Sequence, residues 1–328
     1  MEGLLVNKIT SDTQKKMSNR IIMGVILTLI GLPTIFIGDW LLLAFTFVAL
    51  LLAIHEFTNA RPHNKYKLII HLFIMVMTVS FVYWIFVKNN LKSYGLDLAS
   101  WSFNTGLQEL EVSTIGVAVT VGVLFLSSIL NQNFKIDDAT YLITMVILIG
   151  LSAQAVLFLR FFPAFSFGEW GIAYSWWQTS FLIIYVFIGT FMSDIGAYFI
   201  GLLFGRSKMN PRISPKKTWE GFFGGVFFSM IFSLAFALIV SATGYPMLPF
   251  LSHNEWYWLI LISITMPFMA NLGDFLFSAI KRHFDIKDFS TILQEHGGIL
   301  DRIDSLLITS LYVAIVVTFI STGWNFLA

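Results

Sequence analysis

Acids, lysines and glycines crowd into a few short stretches of the C-terminal half of this chain. In Gly273-Asp274-Phe275-Leu276-Phe277-Ser278-Ala279-Ile280-Lys281-Arg282, the polar positions follow i, i+4, i+7 and i+8, one stripe of a helix. Farther on, His296-Gly297-Gly298-Ile299-Leu300-Asp301-Arg302-Ile303-Asp304 places Asp301 and Asp304 three apart, so their carboxylates share a helical face. The glycine pair lets backbone approach a ligand closely. Crowded oxygen ligands, with no cysteine and one histidine nearby, suit a hard cation such as Mg²⁺ rather than zinc. The plain alternative is a solvated loop capping a helix, and the density of the cluster argues against it.

Two upstream constellations complete the set. Pro211-Arg212-Ile213-Ser214-Pro215-Lys216-Lys217-Thr218-Trp219-Glu220-Gly221 reads as a helix start, with Ser214 the N-cap and Pro215 the first helical residue. Lys216 and Lys217 then fall in a first turn where the helix dipole disfavours cations, which makes sense if an anion is shared there. Taken alone, a basic loop anchoring the membrane edge explains the pair equally well. Asp194 lies inside an apolar run, with Ala197, Tyr198 and Gly201 on its helical face. An intramembrane carboxylate costs about 3 kcal/mol or more, so it faces a partner or a wet cavity. Cation-binding acids beside Lys/Arg clusters are the equipment of phosphoryl or nucleotidyl transfer, where positioning and charge neutralisation do most of the catalysis. No Walker-type glycine loop, nucleophile elbow or His-Glu-x-x-His run is present.

The elements that must position these residues are membrane helices. Of 328 residues, 57% are apolar and only 12% are Asp, Glu, Lys or Arg, with mean hydropathy +0.78. A water-soluble fold of this size cannot hide so much apolar surface, and disorder needs the opposite composition. A net charge of +1 implies no general attraction to nucleic acid, and the lack of cysteine excludes disulfides and thiolate chemistry. A bilayer core about 30 Å thick takes roughly 20 apolar residues of helix. Nine spans are predicted, at 21–37, 40–55, 68–87, 113–130, 140–159, 179–204, 222–243, 256–273 and 305–322. The first is read as a retained helix rather than a signal peptide. The fold class is therefore all-α and polytopic.

Charge orients the bundle. With a cytoplasmic N-terminus, 17 of the 20 basic residues fall in inside segments and only Lys88, Lys92 and Arg160 outside. That asymmetry follows the positive-inside rule and puts the C-terminus outside. Residues 1–178 hold five spans and unremarkable connections. Residues 179–328 hold four spans and the two long polar segments, 205–220 and 274–304, both facing the cytoplasm.

The stretch Ser278-x-x-Lys281-Arg282-x4-Lys287-Asp288, followed by His296-Gly297-Gly298-x-x-Asp301-Arg302-x-Asp304, resembles the phosphatidate cytidylyltransferases. Ser214-Pro215-Lys216-Lys217-Thr218-x-Glu220-Gly221 and Asp194-x-x-Ala197-Tyr198 look like that family's upstream motifs, in the same order. Where the family usually has Pro and Gly-like residues before His-Gly-Gly, this chain has Gln294-Glu295, which alters loop stiffness and adds a carboxylate. The resemblance implies a multi-helix membrane enzyme joining CTP and phosphatidic acid to give CDP-diacylglycerol and pyrophosphate, with Mg²⁺. It implies that Asp274 and Asp301 are the metal-site acids, with Lys281 and Arg282 catalytic beside them. Asp194, Ser214, Lys216, Lys217, Thr218, Ser278, His296, Gly297, Gly298, Arg302 and Asp304 would meet substrate. The expected partners are the two substrates and the bilayer, with no nucleic acid and a homodimer left open. The expected location is a bacterial plasma membrane. A CTP-dependent lipid kinase and a cation-coupled transporter are the alternative readings.

Overall fold

A computed structural model describes residues 29–61, 66–169, 171–244, 246–248, 256–292 and 297–322. Where the chain is continuously apolar, backbone groups can be satisfied in a bilayer only by helical hydrogen bonds. Eight long helices result: α1 (Asp39–Asn59), α2 (Leu68–Tyr94), α3 (Thr114–Leu130), α4 (Ile136–Glu169), α5 (Phe181–Phe204), α6 (Trp219–Ala242), α7 (Trp256–His283) and α8 (Leu300–Thr322). Among the described residues, seven stretches are long and apolar enough to cross a membrane, all of these helices but α3. The apolar α3 has 17 residues. Of the predicted span 21–37, residues 29–37 are helical and the rest lie outside the described residues.

Helix α4 runs ten residues past the predicted end at 159, through Pro163, so Arg160 lies within it rather than in a connection. Arg160 is buried, and its guanidinium donates to the Ile35 and Phe36 carbonyls at 2.6 and 3.0 Å. These are carbonyls at the C-terminal end of the 29–37 helix, where helical bonds run out and a cation is favoured. Two apolar clusters hold the bundle together, and each draws on both halves of the sequence. One joins α1, α2 and α4 to Phe277, Phe289 and Leu300; the other joins α4 to α5, α6, α7 and α8.

The closest helix pair is α5 with α6. Small residues recur every fourth position on both, at Gly189, Ser193, Ala197 and Gly201, and at Gly221, Gly225, Ser229, Ser233 and Ala237. The two ladders let the backbones touch. A Cβ on Gly225 would lie 2.6 Å from the Ser193 carbonyl oxygen, and one on Gly221 2.7 Å from that of Ala197. In lipid, such close packing replaces the hydrophobic drive that water supplies elsewhere.

The connection between them corrects the sequence reading. Ser214–Thr218 is a strand, β2, paired antiparallel with β1 (Lys208–Asn210), so Ser214 is no N-cap and Lys216 and Lys217 lie outside the helix. The true cap is Thr218, whose hydroxyl accepts from the Gly221 N–H at 3.2 Å. Glu220 reaches back to accept from the N–H groups of Arg206 and Ser207 at 3.1 Å, pinning the base of the hairpin. Ser214-Pro215 carried a cap signal that strand pairing overrides.

Gly225→Ala is expected to lower the stability of the detergent-solubilised protein by about 1–3 kcal/mol through overpacking. Gly122→Ala, on α3 with open space around it, should change it little. Thermal unfolding of the two variants side by side checks the assignment.

Candidate active site

Four separated segments meet at one end of the bundle. The last turns of α7 present Asn271, Asp274, Ser278 and Lys281 on one face by the i, i+3/i+4 rule. The first turns of α8 present Asp301, Arg302, Asp304 and Ser305. The C-terminal half of α5 brings Asp194, Ala197 and Tyr198, and the hairpin brings Lys208, Lys216, Lys217 and Thr218. Together they line a cavity of about 790 Å³, whose remaining wall includes Phe191, Leu202 and Phe222.

The two acids singled out for metal each meet a lysine. Lys217 Nζ lies 2.6 Å from Asp274 Oδ2, donates to Asn271 Oδ1 at 2.8 Å and sits 4.5 Å above the Phe275 ring. Ser278 donates to the other Asp274 oxygen at 3.2 Å. Lys281 Nζ donates to Asp301 Oδ1 at 2.7 Å, and Asp301 Oδ2 accepts from the N–H groups of Phe289 and Gly298, both at 2.9 Å. In this second pair the side chains are only 10% and 3% exposed, so little water screens it. Asp194 and Asp304 add two further carboxylates, each within electrostatic reach of Asp274. The first Asp304 oxygen accepts from the Ser305 N–H at 2.7 Å.

Most of the sequence-predicted residues thus share one cavity: Asp194, Lys216, Lys217, Thr218, Asp274, Asp301, Arg302 and Asp304. Ser278 and Lys281 stand directly behind them. Ser214 lies at the turn end of β2, and Arg282 is exposed, donating to the Ile286 carbonyl at 3.1 Å; neither lines the cavity. Gly297 adopts φ +78°, a conformation that favours glycine, and Gly298 supplies the N–H that Asp301 accepts. His296, with Gln294 and Glu295, lies outside the described residues.

Sequence reasoning missed Asn271, although its place one turn before Asp274 on the same face was a readable signal. It also missed Glu56. This acid, at the end of α1, accepts from Ser290 and from the N–H groups of Ile299 and Leu300 beside the site. Only its position at the end of an apolar run marked it.

The donor chemistry bears on a cation. Among the described residues, no three acidic or histidine side chains converge closely enough to hold an ion alone. Four carboxylates nonetheless face one cavity. Mg²⁺ is commonly held by one or two carboxylates with phosphate oxygens completing its shell, so the donor chemistry of this set fits a hard cation that shares its shell with a phosphate.

Residues 18–320 match the model of the cytidylyltransferase family. The chain belongs to that family. It is 30% identical over 292 residues to the phosphatidate cytidylyltransferase of Staphylococcus epidermidis strain RP62A, covering 89% of this chain and 95% of that one. The phosphatidate cytidylyltransferase of Staphylococcus aureus strain COL is 29% identical over 294 residues, with the same coverage. That of Bacillus subtilis strain 168 is 31% identical over 202 residues, 62% of this chain and 65% of its own length. As a cytidylyltransferase, the chain is a nucleotidyltransferase, and seven of its described helices are long and apolar enough to cross a membrane.

Removing Lys281 strands the Asp301 carboxylate in a nearly closed environment. Lys281→Met should therefore cost about 3 kcal/mol of stability, as broken buried pairs do. Adding Asp301→Asn should recover part of the loss, because no unpaired charge then remains. Lys216→Gln, at an exposed position, should leave stability unchanged. Thermal denaturation of the three variants reads all of this.

Proposed function

We propose that the protein transfers the cytidylyl group of CTP to phosphatidate, giving CDP-diacylglycerol and releasing pyrophosphate. One observation carries the reading. A single cavity is lined both by carboxylates and lysines and by Phe191, Tyr198 and Leu202, which come from a helix of membrane-spanning length. Such a cavity suits one polar, polyanionic substrate and one whose acyl chains stay in lipid. The names of the bacterial relatives supply the substrates.

The chemistry is a substitution at phosphorus. A phosphate oxygen of phosphatidate bonds to the α-phosphorus of CTP, the bond to the bridging oxygen breaks, and pyrophosphate leaves with the electron pair. The nucleophile is already anionic near neutral pH, so no strong base is needed. Lys208 and Lys216, exposed on the hairpin and facing the cavity, would hold triphosphate oxygens. Arg302, between the two acids of α8, would meet the lipid phosphate. Asp274 and Asp301 would hold Mg²⁺, which supplies Lewis-acid neutralisation of charge on the departing phosphates. Lys217 and Lys281 keep these two carboxylates in place. Asp194 and Asp304 add negative charge around the same point, favouring a cation within it.

The site end of the bundle is taken as cytoplasmic. The hairpin carries Arg206, Lys208, Arg212, Lys216 and Lys217, and Arg61 pairs with Asp138 at the same end. Basic residues gather on the inner face of a membrane, here a bacterial plasma membrane, with the N-terminus inside and the C-terminus outside.

Incubation of the protein with phosphatidate vesicles, Mg²⁺ and CTP labelled at either the α- or the γ-phosphorus tests the reaction. α-Label should enter the lipid and γ-label should leave as pyrophosphate. γ-Label in the lipid with release of CDP would select a lipid kinase instead. Lys216→Gln should lower kcat/KM by roughly 10- to 150-fold, the value of one charged hydrogen bond of about 1.5–3 kcal/mol. Wild-type kinetics in that variant would return the residue to a membrane-edge anchor.

A further inference from the structure

Helix α8 begins with N–H groups that have no carbonyl partner of its own. The groups at Ile299 and Leu300 both donate to Glu56, at 2.8 Å to Oε1 and 2.8 Å to Oε2 respectively. Ser290 adds a hydroxyl donor to Oε1 at 2.6 Å. Glu56 is 1% exposed, and it comes from α1, 244 residues before Leu300. A cap this distant is not a local helix signal. It ties the N-terminal half of the chain to the start of the helix that carries Asp301.

The same turn is gripped from its other side. Asp301 Oδ2 accepts from the N–H groups of Gly298 and Phe289, while Glu56 takes those of Ile299 and Leu300. Gly298 lies between the two carboxylates, and a Cβ there would sit 2.6 Å from both oxygens of Glu56. The second glycine of the pair is thus required by Glu56, not by an open approach to ligand. All three partners of Glu56 are donors, so both its oxygens must accept. Glutamine keeps the shape but would turn an amide NH₂ toward a donor.

We propose that Glu56 is a positioning residue of the site, setting the first turn of α8 and through it the places of Asp301, Arg302 and Asp304 at the cavity. The proposal rests on the cytidylyl-transfer reading and extends the site into the N-terminal half. Glu56 does not line the cavity. It acts through backbone that a shift of about 1 Å would misplace, and misplacement on that scale can cost about 100-fold in rate.

The test uses the full-length protein in phosphatidate vesicles, with kcat, KM for CTP and thermal stability measured per folded molecule. Glu56→Gln should lower kcat by about 100-fold while KM for CTP stays nearly unchanged, because the hairpin lysines are carried on another segment. Glu111→Gln, at the opposite end of the bundle, should leave both constants alone. A wild-type kcat in Glu56→Gln at reduced thermal stability would make Glu56 a structural cap only and overturn the proposal. Should Glu56→Gln not fold, Ser290→Ala removes one donor alone; it should lower kcat less, and an unchanged kcat overturns the proposal. Contact is checked apart from activity. Gly298→Ala should destabilise the wild type and add nothing in a Glu56→Ala background, whereas additive losses contradict the geometry. A wild type that forms no CDP-diacylglycerol ends the reading on which the proposal rests. A wild type that turns over beside an indifferent Glu56→Gln ends the proposal alone.

Discussion

A carboxylate inside so apolar a bundle persists only where donors or cations surround it. Desolvation of an unpaired charge costs several kcal/mol, more than any single packing contact returns. That constraint organises one end of this molecule. Asp274 is met by Lys217, Asp301 by Lys281 and two backbone N–H groups, and Glu56 by one hydroxyl and two more. The Lys217 and Glu56 pairings join segments far apart in sequence, so satisfying those charges also assembles the site. The lysines do not simply await phosphate; they hold the acids.

The rest of the fold serves that end. The glycine and serine ladders of α5 and α6 bring two backbones into contact, which carries Asp194 and the hairpin to the same cavity. The Thr218 cap and the Glu220 clasp fix how the strand enters α6, and so where Lys217 emerges. At the opposite end, Arg160 closes the bundle on the carbonyls of the 29–37 helix. A polar site forms at one face without opening the apolar core, because both apolar clusters run through both halves of the chain.

Much of this was legible in the sequence. Long apolar runs specify helices almost regardless of context, since lipid leaves backbone groups no other partner. The acids of α7 and α8 were readable because helical spacing puts i, i+3 and i+4 on one face. The hairpin was not. Ser214-Pro215 satisfies the local rule for a helix start, and only pairing of Lys208 with Thr218 and of Asn210 with Ser214 overrides it. Arg160 was misplaced because the predicted span ends at 159, whereas α4 continues through Pro163 to Glu169. Glu56 was illegible for a different reason: its partners lie more than 200 residues away, and no local pattern encodes such a contact.

Lys217 and Asp274 form one ion pair at the cavity, and whether they act as one unit in turnover can be measured. A double-mutant cycle in kcat/KM tests it most directly, using Lys217→Gln, Asp274→Asn and the combination, with labelled CTP to follow slow turnover. If the two groups act through each other, the double variant loses no more than the worse single variant. Losses that multiply would show two independent residues, and would contradict the paired-charge account of the site.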